Sequence, residues 1–208
     1  MSRRKQHARF HGLAPFYRIL PFYPAVFRFM GRAVADLRRR LDVVNQRLLT
    51  EAVRRGEGII GSTVATLLAV GGHCVLLWAG DSRIYRLRDS KFRQLSRDHS
   101  HVRELIDQGL LARQDADRHP AANVITRAVG ADADLLFDAQ IQQLCGGDRF
   151  LLCPDGLTRE VSEEEITGLL AQDDIDEAAR SLVDRACDAG ARDNVTVVIV
   201  AFSEAGGR

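Results

Sequence analysis

Residues 63–70 and 73–79 form two apolar stretches separated only by Gly71-Gly72. Each has the length of a strand, and the first is rich in β-branched residues. Glycine tolerates positive φ, so a Gly-Gly connection suits a two-residue hairpin. This pattern commits the chain to antiparallel β-structure. The same reading continues downstream. Gly80-Asp81-Ser82 punctuates the second strand, residues 83–88 alternate, Asp89-Ser90 forms a turn, and residues 91–96 return. The expected product is a meander of short antiparallel strands.

Helical signals follow. Residues 101–109 carry Val102, Leu105 and Ile106 on one face and stop at Gly109, and 114–118 is a second short helix. Residues 119–130 read as loop, and 135–141 and 149–153 as strands. Ser162 and Glu165 fit a capping box, in which each side chain satisfies the other's exposed backbone N–H. The helix it opens runs to about residue 172. Residues 175–189 form a longer helix closed by Gly190. The stretch 195–202 is apolar nearly throughout and is expected to be a central strand covered on both faces. Strand runs with interleaved helices predict an α+β fold: an antiparallel β-sandwich flanked by helices.

The 208 residues suit one domain. No apolar run reaches the ~20 residues of a membrane span. The net charge of +1 hides a basic first quarter: residues 1–55 carry +10 and the remainder −9. The overall charge of +1 predicts no bulk affinity for nucleic acid. Residues 1–30 are an atypical basic, aromatic arm in which Pro15, Pro21 and Pro24 interrupt any continuous helix. Either an unusual chain end or a membrane-interface anchor fits that composition. Residues 31–208 form the body. It opens with a helix whose apolar stripe is Val34, Leu37, Leu41, Val44 and Leu48, ending near Gly56 to Gly58. Four cysteines, none in a C-x-x-C pair, and no evident secretory leader predict reduced thiols and a cytoplasmic setting.

Three acidic residues occupy equivalent places. Asp81 follows one strand, Asp155 follows another and precedes Gly156, and Asp193 precedes the last strand. An aspartate in a turn is ordinarily a turn former. Three at strand ends of one sandwich can converge on a rim, where like charges need a cation between them. Hard divalent ions such as Mg²⁺ or Mn²⁺ take oxygen ligands, and a pair of them activates water and neutralises phosphate oxygens. Metal-assisted hydrolysis is the chemistry this predicts. No dinucleotide fingerprint, P-loop or nucleophile elbow is present, Lys5 and Lys91 are the only lysines, and Asp98-His99-Ser100 reads as a helix entry.

Six segments occur in a telling order: Gly61-Ser62-Thr63, Ala79-Gly80-Asp81-Ser82-Arg83, Leu95-Ser96-Arg97-Asp98-His99-Ser100, Arg127-Ala128-Val129-Gly130, Phe150-Leu151-Leu152-Cys153-Pro154-Asp155-Gly156-Leu157-Thr158 and Ala191-Arg192-Asp193-Asn194-Val195-Thr196. Together, over residues 40–203, they resemble the metal-dependent protein phosphatase 2C family of serine/threonine phosphatases. His119-Pro120 with Asn123-Val124-Ile125-Thr126-Arg127 is similar to a bacterial subgroup found with secretion systems, whose members oppose a membrane Ser/Thr kinase.

The resemblance implies a phosphoprotein phosphatase that uses two Mn²⁺ or Mg²⁺ ions on phosphoserine or phosphothreonine in a protein substrate, in the pathway of a cognate Ser/Thr kinase. Asp155 and Asp193 match metal-ligand aspartates, and Asp81 matches an aspartate that helps hold a third, weaker metal. Pro154 replaces the family's usual Ser, and Arg159 stands where some relatives carry a second acid for the third metal. The segment 98–126 corresponds to a flap beside the active site. The family's metal-bridging Asp-Gly-x-Gly motif has no counterpart, because the only Asp-Gly is Asp155-Gly156. The resemblance therefore implies a domain without its first strands and a phosphatase impaired in this chain. The alternative is a non-catalytic, phosphatase-like regulatory or binding protein.

Overall fold

The computed structural model describes residues 24–191 and 194–203. Most of the basic arm and Asp193 lie outside the described residues. The first element, α1 (Pro24–Arg55), begins at a proline, whose missing N–H costs nothing in the first turn. The helix thus starts seven residues before Gly31, where the apolar stripe was expected to open it. Gly56 ends it with a φ of +68°.

Among the described residues, seven strands build two antiparallel sheets. One has the order β1 (Val64–Val70), β2 (His73–Ala79), β5 (Asp138–Gln143). The other has the order β4 (Lys91–Gln94), β3 (Arg83–Arg88), β6 (Arg149–Cys153), β7 (Val198–Ala201). Two of the connections are the expected tight turns. Val70 pairs with His73 across Gly71-Gly72, and Arg88 pairs with Lys91 across Asp89-Ser90, with positive φ at all four turn residues.

The expected single meander does not form. Gly80-Asp81-Ser82 carries the chain from one sheet to the other, so β2 and β3 are not partners. Gly80 makes this crossing possible. Its φ is +112°, and a Cβ there would stand 2.4 Å from Thr63 Cγ2.

Period-two alternation along β2 assigns its faces. Cys74, Leu76 and Trp78 meet Ile84 and Phe150 between the sheets, whereas Val75 and Leu77 meet Met30 and Val34 of α1. The opposite face of the second sheet, through Tyr85, Leu87, Leu151 and Cys153, packs on α3 (Asp155–Glu160), α4 (Glu163–Leu170) and α5 (Ile175–Asp188). The result is four layers, α-β-β-α. α2 (His101–Asp107) and a 3₁₀ turn (Arg113–Arg118) lie on the connection between β4 and β5.

Four local expectations change. On α1 Asn45 is buried, at 1% exposure, where Val44 was expected, and Val44 is 43% exposed. Asn45 is tolerated inside because its amide donates to Asp132 O at 2.8 Å and accepts from Gly130 N. β5 begins at Asp138 rather than residue 135. Residues 155–160 form a helix that punctuation at Pro154 and Gly156 concealed. β7 is an edge strand of the described sheet, not a central one. Ile199 and Val200 do reach the two cores on its opposite faces, which explains its apolar character. The capping box is present: Ser162 Oγ accepts from Glu165 N at 3.2 Å, and Glu165 Oε2 accepts from Ser162 N at 3.3 Å.

Candidate functional site

β3 and β6 are antiparallel, and Arg83 is opposite Cys153. Asp81 lies two residues before Arg83, and Asp155 two residues after Cys153. The register therefore carries both aspartates to the same end of the strand pair. Burial, reinforced by the negative charges of Asp155 and Asp98, pushes the Asp81 carboxyl above the usual carboxylate range, with Arg159 opposing. Asp155 is paired instead: Arg159 Nη2 stands 2.6 Å from its Oδ2.

Asp98 joins the group but is committed elsewhere. Its Oδ2 accepts from Arg83 Nε at 2.9 Å and Nη2 at 2.8 Å, and its Oδ1 accepts from Gln94 Nε2 at 2.8 Å. Burial opposes the Arg83 charge, yet the Asp98 carboxylate holds that guanidinium above its ordinary value. Arg83 Nη1 also donates to Thr158 Oγ1, which donates to the Asp155 carbonyl at 3.1 Å. A chain of polar contacts thus runs from Asp98 through Arg83 to the first turn of α3.

Gly80 is held by a histidine. His99 Nδ1 accepts from Gly80 N at 3.2 Å, and His99 N donates to Gly80 O at 2.9 Å. With Nδ1 accepting, the ring proton sits on Nε2, which faces Asp138 Oδ2 at 3.2 Å. The His99 hydrogen bond, with help from Arg127, holds Asp138 below the usual carboxylate range despite partial burial. Trp78 stacks on the ring and donates from Nε1 to Arg97 O at 2.9 Å. His99 therefore fixes the crossover that presents Asp81. Ser100 does cap α2, as expected, accepting from Arg103 N at 3.4 Å.

Of the three expected metal aspartates, the structure brings Asp81 and Asp155 together; Asp193 lies outside the described residues. Sequence reasoning gave no supporting role to Arg83, Asp98, His99, Asp138, Thr158 or Arg159. Two carried a usable signal. Arg83 shares the inward alternation of Tyr85, and Arg159 follows Asp155 by four positions on a helix, where side chains meet. The Asp138–His99 contact spans 39 residues and had none.

A divalent ion needs several oxygen ligands, and a binuclear site needs a bridging one. Among the described residues no group of three or more His, Cys, Asp or Glu side chains could hold a metal. Two carboxylates, one of them paired with an arginine, do not fit a two-metal centre by themselves.

No family model matches the chain. Individual relatives do. The serine/threonine phosphatase stp of Listeria welshimeri is 32% identical over 166 residues, covering 79% of this chain and 66% of that protein. Protein phosphatase PhpP of Streptococcus pneumoniae is 33% identical over 165 residues, covering 79% and 67% respectively. The chain thus spans about two thirds of the length of both relatives. Among solved structures, PppA, described as a key regulatory component of T6SS in Pseudomonas aeruginosa, superposes with a TM-score of 0.75 at 39% identity, over 91% of this chain and 77% of that one. The catalytic domain of the phosphatase PstP, solved in complex with two manganese ions, superposes with a TM-score of 0.68 at 28% identity, over 90% and 75%. Sequence identity, the two-sheet architecture and the aspartate rim agree: the chain belongs to the protein phosphatase 2C-type serine/threonine phosphatases.

Proposed function

We propose that this chain acts as a metal-dependent serine/threonine protein phosphatase, removing phosphate from phosphoserine and phosphothreonine in proteins. The observation that carries the reading is the β3–β6 register, which delivers Asp81 and Asp155 to one rim. Asp193 is a third proposed ligand by the family resemblance alone, and it lies outside the described residues. When bound, Mn²⁺ or Mg²⁺ supplies charge neutralisation and an activated water. The PstP structure with two manganese ions supports metal dependence in the family. The described residues do not complete such a site, so the roles assigned are those of the chain's own groups. Asp81 and Asp155 present negative charge, Arg83 and Thr158 hold the first turn of α3, and His99 holds Gly80.

The secretion-linked setting of PppA supports placing this chain in a bacterial signalling pathway, opposite a Ser/Thr kinase. Free thiols at all four cysteines support a cytoplasmic location. No helix among the described residues is long and apolar enough to cross a membrane.

The test is release of phosphate from a phosphothreonine peptide in Mn²⁺, compared between wild type and Asp155→Asn. Loss beyond the ~10–100-fold that an outer-shell change costs supports a ligand role for Asp155. Equal turnover by both forms overturns the reading.

A further inference from the structure

Arg159 divides one guanidinium between two parts of the molecule. Its Nη2 is 2.6 Å from Asp155 Oδ2 on its own helix. Its Nη1 donates to Asn123 Oδ1 at 3.2 Å, and its Nε lies 3.9 Å from Asp117 Oδ1. Asn123 and Asp117 belong to the connection between α2 and β5, far from α3 in sequence. The rigid planar fork of arginine suits this sharing.

The neighbouring charges make the contact more than a surface pair. Asp81 and Asp155 are like charges at one rim, and such a pair demands compensation. Arg83, another arginine at this end, is already committed to Asp98 and Thr158. Among the described residues, Arg159 is the cation that meets Asp155. Its side chain is one third exposed and Asp155's is about one fifth exposed, so the pair is only partly screened by water.

We infer that Arg159 is a built-in counter-cation. Its guanidinium, in the place of a divalent ion, balances the Asp81–Asp155 pair and straps residues 113–123 over the rim. The rim then carries a positive charge of its own beside its two carboxylates. A divalent ion approaching Asp155 Oδ2 competes with the guanidinium. By linkage, whatever loosens the strap strengthens the ion, and the converse. The inference does not require turnover, and it stands apart from the phosphatase reading.

The test uses the full chain, Mn²⁺ alone and no phosphopeptide. Mn²⁺ binding is followed by calorimetric titration, and backbone amide exchange of residues 113–123 is followed without metal. Arg159→Gln is expected to tighten Mn²⁺ binding about tenfold, within the range usual for coupled sites, and to speed exchange across 113–123. Arg159→Lys keeps the charge but not the fork. It is expected to speed exchange while leaving Mn²⁺ affinity near that of wild type. Mn²⁺ affinity that is unchanged, weakened or undetectable in both wild type and Arg159→Gln overturns the counter-cation. Unaltered exchange in 113–123 overturns the strap. Should Arg159→Gln fail to fold, Asn123→Ala removes one acceptor only and must by itself speed exchange there; if it does not, the strap is again overturned.

Discussion

The two ends of the β3–β6 pair treat their carboxylates in opposite ways. At one end Asp148, fully buried, accepts from Arg88 Nε at 2.5 Å and Nη2 at 2.6 Å, and from Cys145 N at 2.9 Å. Burial opposes its charge, but the Arg88 hydrogen bond and the backbone donor hold Asp148 below the usual carboxylate range. At the other end Asp81 forms no salt bridge among the described residues, faces Asp155, and is pushed up by burial and like charge. The same strand pair carries a satisfied carboxylate for architecture and a frustrated one at the end of the proposed site. A perturbed, unpaired acid at a strand rim marks a site; a buried, fully bonded one marks a joint.

The largest expected effect falls on the joint. Asp148→Ala strands Arg88 and the Cys145 N–H, and removing one partner of a buried pair costs about 3–5 kcal/mol. Urea unfolding is expected to show about the lower bound, since Arg88 is one quarter exposed. A cost below about 1 kcal/mol breaks the contrast. The next effect falls on the support of the crossover. His99→Ala leaves Gly80 N without its acceptor, at a cost of about 1–3 kcal/mol, measurable in the same way. By contrast, Asp81→Asn relieves like-charge repulsion and is expected to be neutral or stabilising by about 0.5–1 kcal/mol, as gains at functional positions commonly are. Clear destabilisation by Asp81→Asn makes Asp81 a structural residue like Asp148. The smallest effect is on acid sensitivity. A lowered carboxyl contributes stability above its unfolded value of 3.8 and loses it as pH falls through the lower folded value. Stability therefore drops below pH 4, and Asp148→Asn removes part of that drop in a pH series of melting temperatures.

Local signals in the chain were read well because local chemistry controls them. Gly71-Gly72 and Asp89-Ser90 became positive-φ turns, and Ser162 with Glu165 became a capping box. Asp81 and Asp155 were found by position in the strand pattern, and the register of β3 against β6 explains why that worked. Several of the failures share one cause: they depend on partners distant in sequence. The two-sheet split at Gly80 depends on close packing against Thr63. The burial of Asn45 depends on the loop at 130–133. His99 reads as a helix entry until Asp138, 39 residues away, faces it. β7 is apolar because both cores reach it, although no strand borders its outer side among the described residues.

The central claim is that the Asp81–Asp155 rim, and not the Asp148 end, attracts cations. Paramagnetic broadening of backbone amide signals by substoichiometric Mn²⁺ tests it most directly. The account predicts that Gly80, Ser82 and Gly156 broaden first while Cys145 and Arg149 remain sharp. Broadening that begins at Cys145 and Arg149, or spreads evenly over both ends, would contradict it.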